Sequence, residues 1–316
     1  MTSTPLGISV VIATRNRPLL LADTVASICA GTHRPGEIVI VDQSDGDRAG
    51  PSLESTDRII RHIRSATRGL SRARNIGATA ARGPALAFTD DDMQADRGWL
   101  GALVGPLTGS GPATVVTGRV TAGPAEGPGG FVPATVTRKR ATTFAGRLSI
   151  DVLAGGNMAI ARDAFLRIGG FDPRLGPGAA FPAAEDNDLG YRLLQSGFRI
   201  IYVPDAELVH RAWRPPSDYL PLRFAYGRGK GGFYLKHARL NDWHTTRRMV
   251  SDVLRRGPRA ARRIRHPRLA LGELVYAAGV VAGAAGWMVR ATGARESTNA
   301  IAYDEHATNT EIRVRS

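Results

Sequence analysis

Three consecutive carboxylates, Asp90, Asp91 and Asp92, follow directly on the apolar run of residues 84–88. A short buried strand that empties into acid delivers its carboxylates to one spot. Three carboxylates that close repel one another, so either a positive charge sits among them or one pKa rises. A hard divalent cation holding a phosphate, Mn²⁺ or Mg²⁺, is the simplest partner; a solvated acidic turn is the plain alternative. A second acidic element lies far downstream. Glu185, Asp186 and Asp188 open a helix in which Leu189, Arg192 and Leu193 keep helical spacing. The helix dipole favours acids in a first turn, but three in four residues exceed what a cap needs. A carboxylate held next to a substrate hydroxyl can take its proton.

The elements that must position these groups alternate. Residues 8–13 and 37–41 are β-branched runs that read as buried strands, 58–63 is a weaker third strand, and 84–88 a fourth. Between them, 18–30 and 70–81 read as helices, the first with Pro18 in its first turn, where a missing N–H costs nothing. Strand, helix, strand, strand, helix, strand is a parallel α/β pattern. In such sheets ligands bind beyond the carboxyl ends of the strands. Thr14, Asp42 and Asp90 to Asp92 each follow a strand, so neighbouring parallel strands would place them on one rim. Asp42 suits a base or ribose contact and, equally, an Asx-type turn. No G-x-G-x-x-G follows the first strand and no G-x-x-x-x-G-K-[ST] occurs, which argues against a dinucleotide enzyme and a P-loop NTPase. Metal and basic side chains would then neutralise a phosphate, with Arg68, Arg72 and Arg74 as candidates; a solvated helix face is the alternative for that trio.

Further on, 99–107 reads as a helix and 113–121 as a strand. Residues 122–149 are rich in Gly, Pro and Arg, a long loop expected to form a flap near the site. In Gly155-Gly156-Asn157 the glycines allow close backbone approach, and Asn157 offers both donor and acceptor; a tight turn before a strand is the other reading.

These stretches occur in a telling order: Thr14-Arg15-Asn16-Arg17 after the first strand, Val41-Asp42, Arg68-Gly69-Leu70-Ser71-Arg72-Ala73-Arg74-Asn75, Phe88-Thr89-Asp90-Asp91-Asp92, Gly155-Gly156-Asn157, Gly169-Gly170-Phe171-Asp172 and Glu185-Asp186. The ordered set, spanning roughly residues 8–210, resembles the family-2 inverting glycosyltransferases of the GT-A fold. The resemblance implies an α/β, Rossmann-like, mostly parallel sheet flanked by helices. It also implies a nucleotide-sugar co-substrate bound by Thr14, Arg15, Asp42, Arg68, Arg74, Asp90 and Asp91. Gly156 and Asn157 would line the sugar and acceptor pocket. Asp92, Asp90 and His210 would serve the divalent metal, and Asp186, paired with Glu185, would be the general base. Two departures stand out. Ala184 occupies a position where glycine is common, and no Q-x-x-R-W element of processive synthases is present, which favours transfer of one or a few sugars.

The chain has 316 residues and a formal net charge of +14. Residues 211–268 hold 16 Lys/Arg against 3 Asp/Glu, so almost all the excess lies there. The organisation expected is a catalytic domain (1–212), a helical basic appendage (213–293) and a polar tail (294–316). In the appendage, 218–238 has helical spacing interrupted by the glycine-basic stretch 227–232. Residues 274–289 are 16 uncharged residues, short of the ~20 of a spanning helix. Spanning, lying on a membrane and packing on the protein all remain open for it. Basic residues before an apolar helix match an anionic membrane surface and a polyprenyl-linked acceptor. No nucleic-acid module is visible, so nucleic acid is not an expected partner. A single cysteine, Cys29, excludes an internal disulfide framework, and residues 1–7 lack a secretory pattern; a cytoplasmic protein peripheral to the inner face of the cell membrane is expected. The acceptor class comprises glycans, glycolipids and polyprenyl-linked saccharides. Two other readings compete: a metal-dependent nucleotidyltransferase, and a non-catalytic membrane-bound sugar-nucleotide-binding protein.

Overall fold

A computed structural model describes residues 7–46, 59–240 and 242–293. The polar tail expected at 294–316 lies outside them. Among the described residues the N-terminal half forms β1 (Ile8–Thr14), α1 (Pro18–Cys29), β2 (Glu37–Asp42), β3 (Ile60–Arg64), α2 (Leu70–Ala80) and β4 (Ala85–Asp90). The middle adds β5 (Met93–Ala95), α3 (Trp99–Gly109), β6 (Thr114–Ala122), β7 (Thr142–Phe144), β8 (Asn157–Ala161) and α4 (Arg162–Arg167). Then follow α5 (Glu185–Gln195), β9 (Arg199–His210), α6 (Tyr219–Ala238), α7 (Trp243–Leu254), α8 (Arg256–Arg262) and α9 (Pro267–Gly293).

The strands form one sheet in the order β3-β2-β1-β4-β8-β6-β9-β5, with β7 attached to β9. The half built by β3, β2, β1 and β4 is parallel throughout. Beyond β4 the sheet is mixed: β8 runs antiparallel to both β4 and β6, while β6 and β9 are parallel. The parallel reading therefore holds for β3, β2, β1 and β4 and for the β6–β9 pair, whereas β8 runs antiparallel to both its neighbours and β5 and β7 run antiparallel to β9.

Alternation along the strands supplies two cores. Val10, Ile12, Ile38 and Ile40 pack on α1 and α3 on one face, through Leu21, Val25, Ile28, Trp99 and Leu103. Val11, Val39, Val41, Leu86 and Phe88 face α2, α4 and α5 on the other. This is a three-layer α/β/α arrangement, and every one of those β1, β2 and β4 residues is fully buried.

The C-terminal helices clamp the acidic helix. Lys236 and His237 of α6 meet Asp188 at 2.7 and 2.8 Å, and Arg192 closes on the same carboxylate. The glycine-basic stretch expected to interrupt this helix does not: α6 is continuous through Gly227–Gly232. Its glycines are contact points. A Cβ on Gly231 would lie 2.0 Å from the Val280 carbonyl, and one on Gly279 of α9 would lie 2.4 Å from the Phe224 carbonyl. Gly227 thus meets Gly279, Gly231 meets the backbone at Val280 and Ala284, and Gly283 meets the backbone at Arg228, the small-residue packing that brings helices closest. The apolar helix α9 packs on α6 through these glycines. Residues 267–290 are nonetheless long and apolar enough to cross a membrane by length and composition, and one third of the apolar window is buried.

The expected flap at 122–149 is pinned at several points. Val136 bridges Val120, Phe131 bridges Arg214, and β7 pairs with β9.

Candidate active site

Strand register decides which acids meet. Thr14 pairs with Asp42, and Ala13 with Asp90, so the three strand ends share one rim. The three aspartates then diverge. Asp90 is hydrogen-bonded by the buried Arg74 guanidinium. Asp91 accepts from Thr14 Oγ1 at 2.8 Å and from Arg17. Asp92 accepts from Arg17 at 2.8 Å and faces His210 Nε2 at 3.4 Å. Both responses to carboxylate crowding are present. A positive charge, Arg17, sits between Asp91 and Asp92, and burial together with Asp92 pushes the Asp91 carboxyl up to about 6. Arg17 closes the Thr14-Arg15-Asn16-Arg17 stretch, but the sequence alone assigns it no role; its position just after β1 was the available signal.

His210 reaches Asp92 through a pairing invisible in sequence. The three-residue β5 runs antiparallel to β9 and sets Met93 opposite His210. The His210 Nδ1 bonds the Pro133 carbonyl at 2.9 Å, which leaves Nε2 toward Asp92. Burial opposes charge on both groups. The Asp92–His210 contact nevertheless lowers the pKa of Asp92 and raises that of His210. Asp92 Oδ1 is buried with no hydrogen-bond partner. A carboxylate oxygen and an imidazole nitrogen facing one another in this way are two donors that could hold a divalent cation. Asp90 does not join them, since Arg74 holds it. Among the described residues no three His, Cys, Asp or Glu side chains form a ready-made metal group.

The second acidic element arrives at the same place. Arg74 Nη1 lies 3.9 Å from Glu185 Oε1. The Gly155–Gly156 turn fits between: a Cβ on Gly156 would sit 2.3 Å from Asp90 Oδ2, and one on Gly155 3.0 Å from the Asp186 Cβ. The glycines therefore admit the protein's own acids to the backbone. Ala184, the N-cap of α5, takes φ 73°, a left-handed conformation that strains any residue with a Cβ. Burial and the neighbouring Asp186 push Glu185 up to about 7. Burial and Asp151 raise Asp186, which is half-buried and accepts from the Asn187 N–H at 2.7 Å. Tyr226 of α6 also belongs here: burial, Asp186 and Glu185 push its phenol up to about 12.

Other expected residues are placed differently. Asp42 is buried, with Oδ1 accepting from the Ser44 N–H at 2.8 Å and Oδ2 3.4 Å from His62 Nε2. The Asx-type turn is present on Oδ1, while Oδ2 is buried without a hydrogen-bond partner. Asn157 is wholly buried and its amide is spent. Oδ1 accepts from Trp99 Nε1, and Nδ2 donates to the Arg119 and Ala206 carbonyls. It fills the hydrogen bonds left open where the β6–β9 register shifts after Gly118, so it does not line a pocket. Arg15 and Arg68 are on the surface, both on the exposed Asp45, at 3.0 and 3.2 Å. Lys230, in the stretch read as a possible phosphate contact, is buried instead on Asp151 at 2.6 Å, together with Arg248.

A sheet half built of parallel strands, a rim of acids and an acid-led helix brought to it by a Gly-Gly turn define a recognisable arrangement. Residues 9–169 match the sequence profile of glycosyl transferase family 2, which is half of the chain. The chain belongs to glycosyl transferase family 2. Among relatives of this family-2 enzyme, a glucosyl-dolichyl phosphate glucuronosyltransferase of Haloferax volcanii is 29% identical over 68% of this chain and 73% of its own. A pre-mycofactocin glycosyltransferase of Mycobacterium tuberculosis is 26% identical, covering 73% of this chain; the match spans about half, 48%, of that relative. In fold, a mannosyltransferase from Pyrobaculum calidifontis solved with GDP-Man and Mn²⁺ superposes with a TM-score of 0.60 over 90% of this chain and 88% of the other, at 16% identity. GalNAc-T7 solved with UDP, GalNAc and Mn²⁺ gives 0.53 over 66% and 44%, at 23% identity. The sheet and its flanking helices are the GT-A fold.

Proposed function

We propose that this family-2 glycosyltransferase is an inverting enzyme that moves a sugar from a nucleoside-diphosphate donor to an acceptor hydroxyl. The observation that carries the reading is the convergence on one Gly-Gly turn of Asp90, at the end of β4, and Asp186, at the start of α5. Asp186 takes the acceptor O–H proton. The acceptor oxygen bonds to the anomeric carbon as the bond from that carbon to the diphosphate oxygen breaks, and the nucleoside diphosphate leaves with the electron pair. One displacement inverts the anomeric centre. Burial and the like charge of Asp151 favour the protonated state that Asp186 must reach in the transition state.

Asp92 and His210 would hold a divalent metal, Mn²⁺ or Mg²⁺, with the donor diphosphate completing its ligands. When bound, that ion supplies charge stabilisation for the departing diphosphate. Arg17, on Asp91 and Asp92, holds the carboxylates in place and adds positive charge at the same point. Arg15 and Arg68, near the ends of β1 and β3, suit the nucleotide side of the rim. Arg74 fixes Asp90 against the sugar side.

The acceptor we infer is lipid-linked. A dolichyl phosphate named for one relative and the basic C-terminal helices of this chain support it, and with it we infer a location at the inner face of the cell membrane. A panel of UDP-, GDP- and dTDP-sugars with and without Mn²⁺, read by thermal shift, identifies the donor. Product analysis then tests the reaction: free nucleoside diphosphate and an inverted linkage are expected. Release of pyrophosphate would replace glycosyl transfer with nucleotidyl transfer, and no turnover with any donor bound would leave a binding protein.

A further inference from the structure

Helix α7 presents two unlike faces. Toward the protein it turns Thr245, Arg248 and Asp252. Thr245 and Arg248 are buried, Arg248 reaches Asp151 at 2.6 Å, and Asp252 takes the hydroxyls of Tyr234 and Tyr276. Met249 and Val253 flank this stripe and pack on the Tyr191–Phe233 cluster. Toward solvent, at i, i+4, i+7 and i+11, it turns Trp243, Arg247, Val250 and Leu254. Trp243 is 74% exposed and Leu254 68%. A surface helix of a water-soluble domain normally places such residues inward. Here the large apolar side chains point out, and ion pairs and hydroxyls hold the inner face.

The outer stripe borders an open groove of about 690 Å³, lined by Trp243, Val250, Leu254, Pro258 and the arginines at 247 and 255. The next turns stay basic and exposed, with Arg259, Arg262 and Arg265, and Ile264 is 75% exposed. Tryptophan at the border, aliphatic side chains between and arginines on the flanks make up the residue set of a helix lying in the plane of a membrane interface. Guanidinium groups there meet lipid phosphates while their stems lie along apolar surface.

We propose that the outer face of α7, continued by the basic turns of α8, is the surface by which this protein docks on an anionic lipid bilayer. The helix lies in the interface and does not span it. Charge complementarity selects the occupant: the patch pairs exposed apolar groups with arginines and carries no acid, which fits anionic headgroups over acyl chains. The inference sharpens the proposed membrane location and stands apart from the transfer chemistry, because its test reads binding and not turnover. The structural consequence is direct. The inner face of the same helix holds Asp151, and its N-cap Asp242 takes the hydroxyl of Tyr191 on α5, so the docked surface lies one helix thickness from the helix carrying Asp186.

The test uses the full chain in flotation with vesicles of phosphatidylcholine alone or mixed with phosphatidylglycerol. Wild type is expected to float with the anionic vesicles only and to be released by salt. Its tryptophan emission should shift to the blue on binding, since Trp99 and Trp287 are already buried and Trp243 is the most exposed. Trp243→Ala/Val250→Ser/Leu254→Ser should lose the blue shift and most of the flotation. Arg247→Glu/Arg255→Glu should weaken binding roughly tenfold or more. Both sets are exposed, and circular dichroism melts check that each variant is folded. Wild type that stays with the soluble fraction overturns the proposal, as does an apolar triple variant that floats like wild type. A dimer in sedimentation that Leu254→Ser abolishes would assign the face to a second copy of the chain and overturn it as well.

Discussion

Arg74 stands between Asp90 and Glu185, hydrogen-bonded to the first and 3.9 Å from the second. One buried guanidinium thereby joins the acid that ends β4 to the helix that begins with the second acidic pair. Burial works against its charge, yet Asp90 and Glu185 hold its pKa above the ordinary value. Replacing it with Met leaves two carboxylates without their counter-charge. We expect Arg74→Met to destabilise the protein by roughly 3–5 kcal/mol, read as a drop in the urea midpoint. A variant as stable as wild type would show that the carboxylates find other compensation.

The base assignment separates binding from chemistry. Asp186→Asn should bind the nucleotide-sugar as wild type does in calorimetry and lose turnover by ~10²–10⁴-fold. Wild-type turnover in this variant would remove Asp186 from the role.

Glu185 gives a pH signature with a definite sign. Its folded-state pKa, pushed up to about 7, lies above the ordinary 4.5, so the folded chain holds this proton more tightly than the unfolded one. The resulting stabilisation is fully present below pH 4.5 and is lost as pH rises through about 7. Its size is at most about 3 kcal/mol. Chemical denaturation across that window should show stability falling with rising pH, and Glu185→Gln should flatten the slope. An unchanged slope assigns the titration elsewhere.

For the metal, His210→Ala and Asp92→Asn should each weaken Mn²⁺-dependent donor binding. Even outer partners of a metal site contribute roughly 10–100-fold, so a loss at least that large is expected. Titrating Mn²⁺ against the bound donor measures it. Asp90→Asn should affect metal affinity less, because Arg74 holds that carboxylate away from the pair.

The glycine contact between α6 and α9 is open to a packing test. Gly231→Val puts a branched side chain where a Cβ alone would stand 2.0 Å from the Val280 carbonyl. Separation of the two helices should cost about 1–3 kcal/mol and raise protease sensitivity in α9. Gly257→Ala, with nothing near its Cβ position, serves as the control and should be neutral.

Much of this was legible in residue order. The β-branched runs of β1, β2 and β4 and the helices between them follow from local periodicity, and their parallel pairing put Thr14, Asp42 and the three aspartates on one rim. The acid-led start of α5 was equally plain, because its signal is local. Tertiary structure decided which acids act together. The His210–Asp92 contact depends on a three-residue strand pairing across more than a hundred residues. Asn157 carries a side chain suited to a ligand, but burial spent it on a bulge, and Asp42 turned one of its two oxygens to an Asx-type turn. Lys230 shows the same effect for charge, since a basic residue in a glycine stretch became a buried partner of Asp151. Residue type and spacing determine what a group can do; only its neighbours in space, which set desolvation and hydrogen-bond supply, determine whether the capacity is left over for a substrate.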